Sequence, residues 1–306
     1  MNVVSHSKGR VLVTGHAGFT GSYVSAELEA DGYEVFRLVR LPHSPDESPV
    51  DLLNREAVRE AVQEIAPDVV IHLAAIAFVA HGNADAIYRI NVVGTRNLLE
   101  ALAALPRAPR LVVLASSANI YGNAEVEPIG EEVPPAPMND YAVSKLAMEY
   151  MAKLWMDRLP IVITRPFNYT GVGQSEQFLV PKIVAHFRRG ERRIELGNIQ
   201  VARDFSDVRD VARAYLAIVQ AAPVGRTLNI CSGVGHSLED ILDMMAGIAG
   251  YRIEVRVNPV FVRANDVARL VGSNAALSAA TQWTHRYGLQ QTLLWQYSQP
   301  ERSSKV

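Results

Sequence analysis

"TGHAGFTG", residues 14–21, places Gly15, Gly18 and Gly21 between an apolar run and an amphipathic run. Glycines at this GxxGxxG spacing permit a tight turn from a strand into a helix, and they let backbone N–H groups at the helix N-terminus approach a pyrophosphate. A glycine triplet alone is weak evidence, but its place after the first apolar run and its closing third glycine both fit. The stretch therefore predicts a dinucleotide-binding turn formed by Gly15, His16, Ala17, Gly18, Phe19, Thr20 and Gly21.

Short apolar runs and longer amphipathic runs alternate on both sides of this turn. Five continuous apolar runs are typical of strands buried on both faces of a parallel sheet: RVLVTG (10–15), YEVFRLV (33–39), DVVIHLA (68–74), RLVVLAS (110–116) and PIVITRP (160–166). The intervening periodicity predicts helices over 21–32, 55–65, 91–105 and 141–155. This alternation predicts an α/β fold, a doubly wound parallel sheet of the Rossmann type.

The alternation loosens after residue 166, although residues 205–222 and 226–231 predict one more helix and strand that return to the sheet. We expect a dinucleotide-binding domain of residues 1–166 plus about 206–231. A smaller, discontinuous α/β C-terminal substrate domain would comprise about 167–205 and 232–306. It would cover the carboxyl edge of the sheet, where ligands bind in such folds.

Composition excludes several classes of function. The 306-residue chain has a net charge of −2, so no basic excess indicates a nucleic-acid or membrane partner. No apolar run approaches the roughly 20 residues that span a bilayer, and MNVVSHSKGR does not resemble a signal peptide. The single cysteine, Cys231, lies in an apolar setting that predicts a buried structural thiol. We expect a cytoplasmic protein without a metal site.

The end of the second predicted strand bears on the cofactor. The run ends in FRLVR without an acid that would hold a ribose 2′-hydroxyl, and Arg40 is placed to meet a 2′-phosphate. This favours NADP (NADPH) over NAD. Asp51, at the start of DLLNREAV, either contacts the adenine edge or caps the helix that follows.

YAVSK places Tyr141 and Lys145 four residues apart, so they share one face of a helix. A tyrosine with a pKa of about 10 is a poor acid–base catalyst at neutral pH. A neighbouring ammonium stabilises the phenolate, so we expect Lys145 to lower the pKa of Tyr141 and the pair to move a proton.

The combined motifs TGHAGFTG, HLAA, NVVGT, SSANIYG, YAVSK and RPFN resemble those of the extended short-chain dehydrogenase/reductase superfamily, which acts mainly on nucleotide-linked sugars. The resemblance implies that Ser117 bonds the reacting oxygen, that Tyr141 is the acid–base residue, and that Lys145 also binds the nicotinamide ribose. It implies that the cofactor is lined by Leu52, Leu73, Ala74, Ala75, Asn91, Pro166, Phe167 and Asn168. It also implies a homodimer through the NVVGT and YAVSK helices.

Sugar 4,6-dehydratases of this superfamily carry a carboxylate two residues after the Ser/Thr, and this chain has Asn119 there. An amide cannot serve as an acid or base at neutral pH, so dehydration is not expected. Glu125, Glu127 or Glu131 on the following loop would have to substitute. What remains is one hydride transfer and one proton transfer, for which hydroxyls suffice.

Four stretches of the C-terminal half carry a closer resemblance: RPFNYTGVGQ (165–174), LGNIQVARDFSDVRDVARAY (196–215), LNICSG (228–233) and VRANDVARLVGS (262–273). They are similar to those of GDP-4-keto-6-deoxy-D-mannose reductases, which make GDP-D-rhamnose, and more distantly to those of GDP-mannose 4,6-dehydratases. The resemblance places Asn168 at the sugar or its phosphate, Arg203 and Arg263 at the diphosphate, and Asp266 at the guanosine ribose. Lys182 faces either the nucleotide base or solvent, whereas Arg209 and Arg213 are interpreted as ion-pairing residues. Asn119 and Val180 complete the expected substrate set.

The expected function is therefore reduction of the C4 ketone of a GDP-linked 4-keto-6-deoxy sugar, a hexose or a related heptose, with NADPH. A nucleotide-sugar C4 epimerase with tightly held NAD would use the same catalytic residues. Arg40 and the resemblance of the C-terminal half to GDP-sugar enzymes argue against this alternative. A cofactor-sensing protein that lost its chemistry would generally lack the YxxxK pair, which is intact here.

Overall fold

Thirteen strands lie in the part of the chain that the computed structural model describes, residues 7–39, 47–77, 83–197, 201–259 and 267–299. They are β1 (Arg10–Thr14), β2 (Glu34–Val39), β3 (Glu47–Pro49), β4 (Val69–His72), β5 (Leu111–Ala115), β6 (Ile161–Pro166), β7 (Asn168–Thr170), β8 (Arg193–Leu196), β9 (Ala202–Asp207), β10 (Thr227–Ile230), β11 (Gly235–Ser237), β12 (Glu254–Val257) and β13 (Arg269–Leu270).

The same ranges contain ten α-helices. They are α1 (Phe19–Ala30), α2 (Arg55–Ile65), α3 (Ala84–Tyr88), α4 (Thr95–Ala103), α5 (Asp140–Lys153), α6 (Leu179–Arg188), α7 (Val208–Ala221), α8 (Leu238–Ala249), α9 (Ala275–Thr281) and α10 (Leu289–Ser298). A π-helical turn (Arg89–Gly94) precedes α4, and a 3-10 turn (Ala118–Tyr121) follows β5. Among the helices of these ranges, none has both the length and the apolarity needed to cross a bilayer.

Seven strands form a parallel sheet in the order β10–β6–β5–β4–β1–β2–β3. The chain builds outward from β1 through β2 and β3, then resumes with β4 on the other side of β1. The loops after β1 and β4 therefore diverge and leave a crevice at the carboxyl edge of the sheet. This topology confirms the doubly wound parallel sheet, and β10 returns to it beside β6 as expected.

Both faces of the sheet are buried at its central strands β1, β4, β5 and β6, which is why these strands read as continuous apolar runs. On β1, Val11 and Val13 contribute to one apolar cluster together with residues of α1 and α7. Leu12 contributes to the opposite cluster, with residues of α2, α4 and α5. All three side chains are fully buried, so the alternation of a strand places apolar groups in both layers.

A separate small sheet joins β11, β9 and β13, with β7 also paired to β9, and β8 pairs with β12. A third apolar cluster packs α6, α8 and α10 together and includes Ile183, Ile241 and Leu293, all fully buried. These elements come from residues 168–207 and 235–298, and they lie beyond the ends of β6 and β10 in the chain.

Asp204 on β9 is a buried carboxylate that joins three parts of this region. It accepts hydrogen bonds from Ser232 N (2.9 Å), Ser232 Oγ (2.6 Å) and Gly233 N (2.8 Å), just after β10. The N–H of Gly272, just after β13, lies 3.5 Å from the second oxygen. Burial raises the pKa of Asp204, and these donors oppose that effect. The carboxylate thus fixes the junction between the seven-stranded sheet and β9.

We expect Asp204→Asn to lower the free energy of unfolding by about 2–3 kcal/mol, because an amide has one acceptor oxygen and its NH2 group would face backbone donors. Urea unfolding followed by circular dichroism measures this. Asp243→Asn is the control, since Asp243 forms an exposed ion pair with Arg252, and the cost there should stay below about 1 kcal/mol. Equal effects of the two substitutions would contradict the role assigned to Asp204.

Candidate active site

A cavity of about 410 Å³ lies in the crevice between the loops after β1 and β4. Eight residues predicted from sequence line it: Gly15, Ala17, Gly18, Asp51, Leu52, Leu73, Ala74 and Ala75. The sequence analysis missed six others: Thr14, Leu38, Val39, Val50, Ile76 and Ile90. Most of these are apolar residues at or near strand ends, whose only signal was their closeness to the point where the strand order reverses.

The glycine turn below this cavity has no room for side chains at two positions. Gly15 has φ +76°, and a Cβ on it would lie 2.7 Å from the backbone nitrogen of Ala74. A Cβ on Gly21 would lie 2.3 Å from the carbonyl oxygen of Gly15. Within the described residues no side chain caps α1 at Gly18, so the helix N-terminus faces the turn with backbone groups. The cavity, the close backbone approach and this helix end fit a dinucleotide pyrophosphate.

Buried polar contacts link the cofactor cavity to the neighbouring helices. Nδ1 of His72, at the end of β4, lies 2.6 Å from Thr14 Oγ1, and Nε2 lies 2.8 Å from Thr95 Oγ1. Thr95 donates its hydroxyl proton to the carbonyl oxygen of Asn91, so Nε2 of His72 carries the ring proton. Burial, followed by the charge of Lys145, lowers the pKa of His72 to about 3, so the ring is neutral at physiological pH.

Asn91 lies in the π-helical turn with its side chain almost fully buried. Its Oδ1 accepts from Ile76 N (2.9 Å), and its Nδ2 donates to Ile76 O (3.3 Å) and to Ser144 Oγ (2.9 Å). The amide that the resemblance assigned to the cofactor is thus engaged by the protein. It holds the loop after β4 against α5, because Ile76 lines the cavity and Ser144 lies on that helix.

The three predicted catalytic residues lie together at the end of β5. Ser117 begins the 3-10 turn, and its hydroxyl bonds Tyr141, which lies in the first turn of α5. Lys145 lies one turn further along α5 and is buried, and its ammonium donates to the carbonyl oxygen of Ala115 at 2.7 Å. The predicted seven-residue segment SSANIYG and helix α5 therefore meet at the end of β5, and Asn91 connects α5 to Ile76 on the cavity wall.

The pKa of Tyr141 is raised to about 12, first by burial and second by Tyr169, while the hydrogen bond with Ser117 opposes both effects. This differs from the expectation that Lys145 lowers the pKa of Tyr141. The physical reason is that Lys145 directs its amine to the Ala115 carbonyl, while Tyr141 itself is withdrawn from water. Tyr141 is accordingly a protonated phenol at neutral pH, which is the form that donates a proton.

Tyr169 connects the small sheet to the glycine turn. Its phenol oxygen lies 2.6 Å from Thr20 Oγ1, and its ring stacks on Phe19 with centroids 6.1 Å apart. Tyr169 stands on β7, whereas Phe19 and Thr20 begin α1. The sequence analysis assigned Tyr169 no role, and it missed that this side chain joins the two parts of the molecule.

Comparison with protein-family models identifies the family to which this site belongs. The model of the NAD dependent epimerase/dehydratase family matches residues 11–231. This chain belongs to the NAD dependent epimerase/dehydratase family. The match spans the sheet, the glycine turn and the catalytic cluster. It confirms the resemblance to the extended short-chain dehydrogenase/reductase superfamily that the sequence motifs indicated.

Two relatives align with most of this chain. GDP-6-deoxy-D-talose 4-dehydrogenase of Aggregatibacter actinomycetemcomitans is 35% identical over 88% of this chain and 90% of its own length. GDP-6-deoxy-D-mannose reductase of Pseudomonas aeruginosa is 35% identical over 93% of this chain and 94% of its own length.

Two solved structures share the fold over 95% of this chain. A protein from Burkholderia cenocepacia J2315, described provisionally as an epimerase, is 52% identical over 97% of its own chain, with a TM-score of 0.89. RMD from Pseudomonas aeruginosa, solved with NADPH, is 34% identical over 98% of its own chain, with a TM-score of 0.84.

Several family positions have local partners in this chain. Phe167 is buried and packs against Tyr121, with ring centroids 6.1 Å apart, while Asn168 is exposed and Pro166 is half-buried. Nδ1 of His16 lies 2.8 Å from Ser25 Oγ. Asp51 accepts from Leu53 N in a short turn before α2, whose actual cap is Asn54. Of the two interpretations of Asp51, the helix cap is therefore wrong, and its place on the cavity wall remains.

The predicted substrate residues are more scattered. Val180 lies in the apolar core around α6, Lys182 donates to the carbonyl of Glu195 (2.7 Å), and Arg203 donates to the carbonyl of Ala202 (3.0 Å). Asn119 is half-buried in the 3-10 turn and donates its backbone N–H to Ser117 Oγ (3.2 Å). Three further predicted residues, Arg40, Arg263 and Asp266, lie outside the described residues.

The carboxylates that would have to replace a dehydratase acid have other partners. Glu127 binds the guanidinium of Arg269 through both oxygens (2.7 and 2.8 Å), and Glu131 accepts from Asn229 N at 2.6 Å. Glu125 lies on the wall of a second cavity, formed by the loop that follows the 3-10 turn. The two engaged carboxylates argue against dehydration.

Three minor predictions are confirmed. Arg209 pairs with buried Asp207 at 2.7 Å, and Arg213 pairs with buried Asp210 at 2.6 Å. Cys231 is fully buried, and burial raises the pKa of its thiol, as expected of a structural cysteine.

Gly21→Ala is expected to destabilise the protein by about 1–3 kcal/mol, because the added methyl would overlap the backbone of the turn. Displacement of that turn should weaken NADPH binding by about tenfold or more, at about 1.4 kcal/mol per factor of ten. Fluorescence titration with NADPH and urea unfolding measure both effects.

Gly247→Ala is the matched control for this substitution. A Cβ on Gly247, in α8, would meet no atom within 4 Å. This change should leave NADPH affinity unaltered and raise stability by up to about 1 kcal/mol, since alanine is the better helix former. Normal NADPH binding by the Gly21 variant would contradict the assignment of the turn.

Proposed function

We propose that this protein reduces the C4 ketone of a GDP-linked 4-keto-6-deoxy sugar with NADPH. The observation that carries the proposal is the cluster of Ser117, Tyr141 and Lys145 beside the dinucleotide cavity, with an amide, Asn119, in place of a dehydratase carboxylate. Its relatives named as GDP-6-deoxy-sugar dehydrogenase and reductase support the substrate class.

The residues of the cluster divide the chemistry among them. Bound NADPH supplies the hydride to C4 and leaves as NADP⁺. Ser117 donates a hydrogen bond to the ketone oxygen. This bond stabilises the negative charge that develops on the oxygen during hydride transfer. Tyr141 then donates its proton to that oxygen, so the ketone becomes a secondary alcohol and the tyrosine a phenolate. Lys145 holds the nicotinamide ribose and gives the cluster its positive charge.

The preference for NADPH is part of the proposal. It rests on Arg40 at the end of FRLVR and on the NADPH held by RMD of Pseudomonas aeruginosa. Leu38, Val39 and Val50 give the nearby cavity wall an apolar surface. Other family structures hold NAD, so the chain's own strand end is the discriminating feature.

We also propose that the substrate lies between two domains, divided as the sequence predicts. Exposed Asn168 on β7 and Arg203 on β9 stand on paired strands of the small sheet. Together with Arg263 and Asp266 they would bind the sugar, the diphosphate and the guanosine ribose. Arginine suits the diphosphate because its planar guanidinium binds two phosphate oxygens at once.

C4 epimerisation is the second candidate, favoured by the 52% identity to the Burkholderia protein described as an epimerase. The same residues would serve it, but an epimerase returns its hydride to the sugar and consumes no NADPH overall. Net cofactor oxidation therefore separates the two functions.

NADPH oxidation with freshly generated GDP-4-keto-6-deoxy-mannose, followed by absorbance at 340 nm, tests the proposal directly, and NMR of the product reads its C4 configuration. We expect one NADPH oxidised per alcohol formed. Tight GDP binding without turnover would support a GDP-linked substrate but exclude this hexose as its sugar. The heptose analogue would then be assayed next. The absence of both GDP binding and turnover would overturn the proposal.

Tyr141→Phe should lower kcat for ketone reduction by about 10²–10⁴-fold, because the phenylalanine ring cannot donate a proton. NADPH affinity should change little, since the ring remains in place. Tyr150→Phe, at an exposed position on the same helix, is the matched control and should retain the parental rate. Near-full activity in the Tyr141 variant would contradict its role as proton donor.

We further propose a homodimer. Val93, Val143, Tyr150 and Leu154 are 44%, 38%, 59% and 80% exposed on the π-helical turn and on or just after α5, a group of apolar side chains facing away from the sheet. Leu154→Asp should convert a dimer into a monomer in sedimentation velocity, because it places a charge within that face. Val257→Asp, at an exposed apolar residue on β12, should leave the dimer intact. A parental protein that sediments as a monomer would contradict this proposal.

A further inference from the structure

We propose that the buried ion pair between Glu149 and Arg165 holds Lys145 in its ammonium form, which makes Glu149 a positioning residue of the active site. The inference rests on the proposed function in one respect, that Lys145 must be charged to bind the cofactor. It concerns residues that the catalytic triad of Ser117, Tyr141 and Lys145 does not include.

Glu149 follows Lys145 by one helical turn on α5, so the two side chains lie on the same helix face. That face is buried: Lys145 is 4% exposed and Glu149 is 1% exposed. Arg165 on β6 meets Glu149 with two parallel hydrogen bonds, from Nε to Oε1 at 3.0 Å and from Nη2 to Oε2 at 2.7 Å. The carboxylate is thus fixed in position by a bidentate, charge-assisted pair of hydrogen bonds.

An ammonium at this depth needs a source of negative potential. The hydrogen bond of Lys145 to the Ala115 carbonyl satisfies one donor but supplies no formal charge. Burial lowers the pKa of Lys145 to about 8, and Glu149 opposes that effect. Removal of the carboxylate would leave desolvation without its opponent, so the lysine would lose its proton at lower pH.

The other titratable groups around Lys145 are not anions. On its own helix, Tyr141 is a protonated phenol. From β4, His72 is neutral, because burial lowers its pKa to about 3. From the 3-10 turn, Tyr121 is protonated, with its pKa raised by burial to about 12, and from β6 Arg165 is a cation. Among these neighbours in the described structure, Glu149 carries the one negative charge.

Arg165 is itself fixed by the loop that precedes the proposed substrate region. Its Nη1 donates to Tyr121 Oη (2.9 Å) and to the carbonyl of Glu131 (3.3 Å). Tyr121 in turn donates to Asn229 Oδ1 (2.8 Å) on β10. These contacts, together with the two hydrogen bonds to Glu149, fix the position of the Arg165 guanidinium.

A purely structural ion pair and a charge-setting one make different predictions. Loss of a structural pair lowers stability by the same amount at every pH near neutrality. Loss of a charge-setting pair also moves the pH at which Lys145 deprotonates. A buried ion pair is by itself weak evidence for stabilisation, so the pH dependence is the informative quantity.

The test is the affinity for NADPH, measured by fluorescence titration between pH 6 and 10 on the full chain. For the parental protein we expect affinity to fall above about pH 8, as Lys145 loses its proton. For Glu149→Gln the midpoint of this fall should move down by about 1 pH unit, as expected for removal of one nearby opposite charge. Glu100→Gln, in an exposed ion pair with Arg55 on other helices, should follow the parental curve.

A second readout needs no cofactor. Because the pKa of Lys145 is below its ordinary value in the folded protein, the unfolded chain binds more protons there, and the free energy of unfolding rises with pH above about 8. In Glu149→Gln this rise should begin at lower pH. Lys145→Met removes the titrating group, so its curve identifies the share that belongs to Lys145.

Glu149→Met combined with Arg165→Met keeps the test decisive if the single variant does not fold, since paired replacement of a buried ion pair by apolar residues is often tolerated. The double variant should also move the midpoint down, but by less than Glu149→Gln, because the Arg165 cation is removed together with the carboxylate. Parental midpoints in the folded variants, by both readouts, would overturn the inference. Because neither readout uses a GDP-sugar, failure of the reductase assay with shifted midpoints would reject the proposed function and leave this inference standing.

Discussion

The active-site half of the molecule depends on one buried positive charge. The ammonium of Lys145 donates to the carbonyl oxygen of Ala115 at 2.7 Å, which requires α5 to lie directly against the end of β5. An ammonium is costly to remove from water, so the surrounding structure must hold it rigidly and supply compensating polarity. That requirement accounts for the density of buried polar contacts on a helix that otherwise packs against apolar strands.

Those contacts extend from the catalytic helix to the cofactor cavity. Asn91 joins Ser144 on α5 to Ile76 on the cavity wall, and Thr95 and His72 continue the same set of hydrogen bonds to Thr14 at the end of β1. Each group is buried and partnered, so the network is rigid and none of its members can rotate without leaving a polar atom unsatisfied. These hydrogen bonds therefore connect the loops that line the cavity to the helix that carries Tyr141.

Local patterns in the sequence predicted the parts of this architecture that local physics determines. The apolar runs that form β1, β2, β4, β5 and β6 predicted strands of a parallel sheet. Glycine is required at positions 15 and 21, because a Cβ there would lie within 3 Å of the backbone of Ala74 and of Gly15, respectively. Contacts between distant residues have no such signal. Glu149 and Arg165 are separated by 16 positions and meet only because α5 packs on β6, and nothing in NVVGT indicates a π-helical turn that directs Asn91 inward.

The protonation state of Tyr141 bears on the direction of the chemistry. With its pKa raised to about 12 by burial, the phenol holds its proton at neutral pH and is prepared to donate it. Reduction uses the tyrosine in that state and leaves a phenolate, which regains a proton when product and oxidised cofactor depart and water enters. An epimerase keeps its cofactor and uses the same tyrosine first as base and then as acid. Burial of Tyr141 thus prepares it for the acid step, which ketone reduction and the second half of an epimerisation share.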